Sequence, residues 1–258
     1  MRRINVVADL ARAGCVAPGA EADALIEASS EGLGPVDELV ARRVRGEPLA
    51  WITGRAWFCG IRVIVDPGVF VPRPHTEALA RRAAELLPDA GAAVDLCTGS
   101  GVVAAVLRVA HPQARVVATD VDPAAVACAR RNGVQAFEGD LDGPVPRSLR
   151  GNVDVVTAVV PYVPTEELHL LPRDVLANEP RHALDGGPGG TAVLLRAAEA
   201  GGRLLAPDGV VLLELGGDQS EEVGAALCRA GLVGIRVHRD GDGRDRAIEA
   251  RLPATVVA

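Results

Sequence analysis

An α/β fold built on a parallel sheet, with a small helical unit in front of it, is what this chain of 258 residues predicts. Three observations carry that expectation. Apolar residues recur at helical spacing from about Ile4 to Arg45, with Ala22, Leu25, Ile26 and then Val36, Leu39, Val40, Val44 on common faces. From Ala92 onward, short apolar runs alternate with helix-length stretches, the mark of strands joined by crossover helices. Between Val94 and Ala104 a buried strand breaks into a small-residue turn and opens an Ala-rich helix at about Val102. Glycines at 99 and 101 let the backbone turn sharply and come close to a ligand, with helix amides facing it. The pattern Gly99-x-Gly101-x-x-Ala104 also fits a dinucleotide fingerprint, and alone it does not choose among nucleotides.

In order along the chain, the first helices break at Gly14, at Pro18-Gly19 and across Gly32 to Pro35, and carry no evident chemistry. Substrate recognition and simple packing are both open to them. The segment from Gly46 to Gly60 holds both tryptophans and one of three phenylalanines, and reads as an interdomain hinge with an aromatic plug. Alternation through Ile61, Val63 and Val65, ahead of a turn at Pro67-Gly68, reads as a hairpin. A helix is expected over 76–87, with Thr76 placed to cap it. Strands are expected over 92–96, 116–119, 134–137, 153–160 and 210–215. Helices are expected from Val102, over 123–132, up to Ala200, and over 220–230. A long irregular stretch follows Pro161, and two last strands, 233–237 and 247–250, suit the antiparallel edge of the sheet. The division expected is 1–55, 56–75 as a connecting hairpin, and 76–258.

Composition excludes several functions. Arginine supplies all 27 basic residues and the chain has no lysine, so a Schiff-base lysine and a P-loop lysine are ruled out. A net charge of -7 argues against a broad nucleic-acid footprint. The five cysteines form no CxxC pair and no Cys/His cluster, so neither a metal site nor a disulfide framework is expected. The opening residues do not form a signal peptide, and no apolar run reaches membrane-spanning length, so a cytoplasmic chain with no membrane partner is expected. With aromatics at 2% and apolar residues at 48%, the core must be Val, Leu and Ala.

Acids mark three strand ends, where ligands of such sheets bind. Asp95 precedes the glycine turn, Asp120 ends the second strand, and Asp140 follows the third. Asp120 lies about 20 residues beyond the turn, the place from which a carboxylate accepts ribose hydroxyl hydrogens. Both NAD and S-adenosylmethionine would use it. Asp140, or its neighbouring backbone, beside an adenine edge favours the methyl donor.

Taken together, the motifs resemble those of the HemK-type family, S-adenosylmethionine-dependent methyltransferases that modify a glutamine amide of peptide-chain release factors. They are Arg45-Gly46-x-Pro48-Leu49 with Ile52-x-Gly54, Pro72-Arg73-Pro74-x-Thr76-Glu77, Asp95 to Gly101, Asp120, Asp140, Glu179-Pro180-Arg181 through Asp185-Gly186-Gly187, and Gly243-Arg244-Asp245-Arg246. The resemblance implies a helical amino-terminal recognition domain, a hairpin, and a seven-stranded Rossmann-like catalytic domain of class I. The cofactor-binding set it implies is Asp95, Cys97, Thr98, Gly99, Ser100, Gly101, Asp120, Val121, Asp140 and Leu141. The acceptor-side set is Val159, Val160, Pro161, Tyr162, Glu179, Arg73 and His75.

Two positions depart from the family pattern. Asn-Pro-Pro-Tyr is replaced by Val159-Val160-Pro161-Tyr162, and His75 stands where the family's Pro-Arg-Pro-Glu-Thr-Glu has its first Glu. An amide nitrogen is a poor nucleophile that the family's Asn helps to hold, and losing that partner costs a buried amide roughly 1–3 kcal/mol. The expectation is therefore an enzyme acting on another acceptor, a small or carrier-bound metabolite with an amine or hydroxyl nucleophile, with a protein partner also open. Elimination or ring closure such as aziridine formation, ordinary release-factor methylation, and an inactive adaptor are the alternatives. Tyr162 is expected to pack on substrate or to close the core at a strand end, and Glu179 to brace the 159–162 loop or to hydrogen-bond substrate. His75, His169 and His182 are candidate bases.

Overall fold

The computed structural model describes residues 3–254. Four helices come first: α1 (Arg3–Arg12), α2 (Pro18–Ser30), α3 (Val36–Val44) and the short α4 (Leu49–Thr53), which ends on Gly54 in the left-handed conformation. Their apolar faces close on Val6, Leu10, Leu25, Leu39 and Ile52. Strands β1 (Arg55–Phe58) and β2 (Ile61–Ile64) form a separate antiparallel hairpin. Helix α5 (Thr76–Leu86) then leads into the alternation β3 (Ala92–Leu96), α6 (Val102–Ala110), β4 (Arg115–Asp120), α7 (Pro123–Arg131) and β5 (Gln135–Glu138). The chain continues through β6 (Val153–Ala158), α8 (Arg173–Asn178), α9 (Ala192–Leu204), β7 (Leu205–Glu214), α10 (Ser220–Arg229), β8 (Val233–Arg239) and β9 (Asp245–Arg251).

The main sheet has seven strands in the order β5-β4-β3-β6-β7-β9-β8, parallel through β7, with β9 antiparallel to both neighbours. Strand alternation splits the core in two. Ala93, Ala118, Val155 and Leu212 face α5, α6 and α7 through Leu79, Leu107 and Ala129. Val94, Val117, Val156 and Leu213 face α9 and α10 through Leu194, Leu204 and Leu227. The seven-stranded, three-layered architecture is the one expected, and Val, Leu and Ala fill it. The order reverses between β3 and β6, so their carboxyl ends flank a crevice in which ligands of open α/β sheets bind.

Helix α4 ties the helical cluster to the sheet. Ile52 points into the helical core, while the adjacent Trp51 packs with Phe58, Val63 and Leu79, and its indole N–H donates to Val69 O at 2.9 Å. Trp51 and Phe58 thus form the expected aromatic plug, but Trp57 does not: it is 70% exposed. The hairpin turn also differs from expectation. It is Cys59-Gly60, both with positive φ (48° and 79°), as a two-residue loop of the twisted type I′ form requires. Pro67-Gly68 makes a separate turn, closed by Val69 N–H on Asp66 O, with Val65 already past the strand. Thr76 does not cap α5. The chain enters the helix through turns at Arg73 and Pro74, so Thr76 is already helical, and its buried hydroxyl has no partner among the described residues. Among those residues, no helix is long and apolar enough to cross a membrane.

Candidate active site

A cleft of about 1200 Å³ opens at the carboxyl ends of β3, β4 and β6. The glycine turn forms its floor. Asp95, at the end of β3, is buried and accepts hydrogen bonds from Thr98 Oγ1 at 2.5 Å and Thr157 Oγ1 at 2.7 Å. Burial pushes its carboxyl up to about 6, against the pull of those two hydroxyls. Cys97 follows in the left-handed conformation, φ 53°, its thiol held protonated by burial and by Asp120. Gly99 and Gly101 have φ of 56° and 80°. A Cβ on Gly101 would fall 2.9 Å from Ala129 Cβ, so helix α7 packs directly on that backbone; a Cβ on Gly99 would meet nothing within 4 Å.

Asp120 holds the turn from the second strand. Its Oδ2 accepts the Gly99 N–H at 2.8 Å and its Oδ1 accepts the Asp122 N–H at 2.9 Å. Burial raises its pKa, and those two amides oppose the rise. Val121, next in sequence, is 53% exposed and lines the cleft. Asp122 caps α7 through the Ala124 N–H, with Pro123 at the first helical position. Asp140 also lines the cleft, its carboxylate paired with Arg196 of α9. Of the cofactor set inferred from sequence, Asp95, Cys97, Thr98, Gly99, Ser100, Asp120, Val121 and Asp140 line the cleft. Gly101 and Leu141 do not: Gly101 supports the turn from beneath, and Leu141 lies in the core beside Val145.

The opposite wall begins where β6 ends. Val159, Val160, Pro161 and Tyr162 line the cleft, and Val160 is buried. This loop is clamped by a glycine-rich one. Val163 N–H donates to Leu184 O, Gly186 N–H donates to Val163 O, and a Cβ on Gly186 would lie 2.8 Å from Pro161 O. Arg73 completes the wall, its guanidinium 4.7 Å above the Phe70 ring.

Glu179 departs from expectation. It braces residues 71–73 rather than the 159–162 loop: its buried carboxylate accepts Arg73 Nη2 at 2.6 Å and the Val71 N–H at 3.2 Å, and it does not line the cleft. Glu179 closes α8, whose Asn178 donates to Gly46 O in the helical unit, and that places the carboxylate over the 70–73 segment.

The three histidines separate. His182 lines the cleft, 3.2 Å from Asp122 Oδ2. His75 lies behind the wall, its Nε2 3.4 Å from the Tyr162 hydroxyl and 3.3 Å from Glu214 Oε1. His169 is exposed and takes no part in the cleft, because its turn carries it outward. Sequence reasoning missed Phe70, Leu171, Pro172 and Val175, which give the acceptor side its apolar surface. It also missed Glu214 and Thr157. The signal was available in part, since Glu214 ends an apolar strand just before Leu215-Gly216, as Asp95 does before its own turn.

Comparison with known proteins adds four findings. The family model described as methyltransferase small domain matches residues 60–140. The release factor glutamine methyltransferase of Geobacter sulfurreducens is 36% identical over 220 residues, covering 83% of this chain and 76% of its own length. The 4-amino-L-phenylalanine/4-methylamino-L-phenylalanine methyltransferase of Streptomyces pristinaespiralis is 39% identical over 202 residues, covering 74% and 68%. A chain of the E. cuniculi Mtq2-Trm112 complex, which methylates the eRF1 translation termination factor, superposes with a TM-score of 0.53 at 24% identity. That match covers 72% of this chain and 99% of that one, a likeness of fold.

Proposed function

This chain belongs to the release factor glutamine methyltransferase family, and from its altered acceptor wall we propose that it methylates an amine rather than a glutamine amide. S-adenosylmethionine, the donor used by such enzymes, supplies an electrophilic methyl group on a sulfonium. The residues present fit it. The open space above Gly99 admits a ligand against the backbone, and the Asp120 carboxylate stands at a strand end where ribose hydroxyls are held. Exposed Val121 offers an apolar contact to the base. Asp95, bonded to two threonines, holds the turn rather than the donor itself.

The observation that carries the acceptor reading is Val159. It lines the cleft where the family pattern has Asn, and it brings no hydrogen-bonding side chain. A site shaped to hold an amide loses much of its selectivity when one such partner is removed. A neutral amine needs no such holder, because its lone pair is already available. Phe70, Pro72, Leu171 and Val175 supply an apolar surface for the acceptor's body, and Arg73 a charge at its edge. The Streptomyces pristinaespiralis relative, named for an amine substrate, supports the same class. Methylation of a release factor is the second reading, favoured by the names of other relatives and by the retained Pro161-Tyr162.

The test uses labelled donor with the wild-type protein, offered 4-amino-L-phenylalanine in one arm and purified release factor in the other. Transfer to the amine and none to glutamine is expected. Efficient transfer to glutamine, at rates typical of enzymes, overturns the proposal. Asp120→Ala should weaken donor binding at least about tenfold in titration calorimetry, about 1.4 kcal/mol.

A further inference from the structure

Glu214 ends β7 and is 1% exposed, and among the described residues neither of its carboxylate oxygens has a hydrogen-bond partner. Such a group is costly to bury unless it holds a proton or faces a cation. His75 meets that need once its Nε2 takes a proton, since Nε2 lies 3.3 Å from Glu214 Oε1 and 3.4 Å from the Tyr162 hydroxyl. Tyr162 lines the cleft, and one edge of its ring packs against Gly216, where a Cβ would fall 2.7 Å from Cε2. Three proton-bearing groups therefore converge from the loop before α5, the loop after β6 and the end of β7. Arg73 and Arg246 also act on the Tyr162 phenol. Burial first, then the charge of Glu214, pushes the Tyr162 phenol well above its ordinary value, so it stays protonated and can pass a proton on.

The family pattern has an acid where His75 stands. An acid there would set two carboxylates against each other, whereas imidazole becomes complementary to Glu214 when Nε2 gains a proton. This matters for an amine, which leaves methyl transfer with one proton in excess. Resting on the amine reading, we infer that Tyr162 is the catalytic residue that takes this proton, and that His75 and Glu214 are positioning residues that draw it away from the cleft. The nitrogen–methyl bond forms as the methyl–sulfur bond breaks, with its electron pair left on sulfur. The surplus proton passes from nitrogen to Tyr162 Oη, and the phenolic proton passes to His75 Nε2. The resulting imidazolium faces the Glu214 carboxylate, and the total charge is unchanged.

Tyr162 is the one tyrosine of the chain, so its ultraviolet phenolate band reports this cluster alone. Wild type should titrate above the ordinary tyrosine value, and Glu214→Gln should lower the midpoint by about one unit or more, within the pH range where circular dichroism shows the fold intact. An unmoved midpoint overturns the inference. With 4-amino-L-phenylalanine as the probe, His75→Gln and Tyr162→Phe should each lower kcat at least about tenfold, with KM and donor affinity unchanged. An unchanged kcat, or loss only through KM, overturns the inference. If wild type methylates no amine, the amine reading has failed, while the phenol titration still decides whether Glu214 acts on Tyr162.

Discussion

Gly99 and Gly101 have similar left-handed backbones two residues apart, yet their surroundings make different demands. At Gly101 an added Cβ strikes Ala129, so Gly101→Ala should cost about 1–3 kcal/mol from overpacking, with about 1 kcal/mol more from the backbone. At Gly99 the added Cβ meets open cleft, so Gly99→Ala should cost about 1 kcal/mol while weakening the donor at least about tenfold. Urea midpoints and calorimetry separate the two, and equal losses of stability would refute the distinction. Asp95 makes a pH prediction. Its folded pKa, about 6, lies above its unfolded value, so the folded state binds the proton more tightly. That contribution to stability is complete below about pH 4 and is lost as pH rises to about 6. Asp95→Asn should therefore gain stability relative to wild type across that window; a constant difference in urea midpoint would refute it. From the sequence Asp95 reads as one of three acids that mark strand ends. Its partner Thr157 lies on the neighbouring strand, and only sheet register brings the two together.

The acceptor wall is made of segments with little regular structure. The 70–73 segment has no strand or helix of its own and is held by Glu179 through one backbone amide and one guanidinium. Glu179→Ala would leave both donors without that acceptor, at a cost of about 2–3 kcal/mol. The same change should raise KM for the acceptor more than it alters donor affinity, because Arg73 is on the acceptor side. Unaltered KM with lowered stability would show the brace to be structural alone. Residues 70–73 and 179 both fall in motifs visible in the sequence, but their contact does not. An isolated Glu before a proline gives no sign of its partner, and Glu179 braces residues 71–73 instead of 159–162 because it closes helix α8 against that segment. The clamp on 159–162 is instead the glycine-rich 184–190 loop, whose missing side chains make room for Pro161 and Tyr162.

At the scale of the molecule, the helical unit and the sheet meet through Trp51 and through Asn178 on Gly46, close to the wall that α8 helps to build. The alternation of strands and helices, the glycine turn and the three strand-end acids were determined by the sequence alone, because each depends on local spacing and backbone freedom. Periodicity fixes which face of a strand is apolar, and a left-handed turn demands glycine where it is crowded. The hairpin turn, the capping of α5 and the partner of Glu179 were decided by tertiary structure, since each depends on how far the chain has travelled before it packs. The same holds for Glu214, His75 and Tyr162. Neighbouring residues in sequence say nothing of that meeting, which exists because β7 lies beside β6 and α5 begins beneath their ends. Local chemistry repeats along a chain and can be read from it, whereas a buried charge acquires its meaning from groups that only folding brings within a few ångströms.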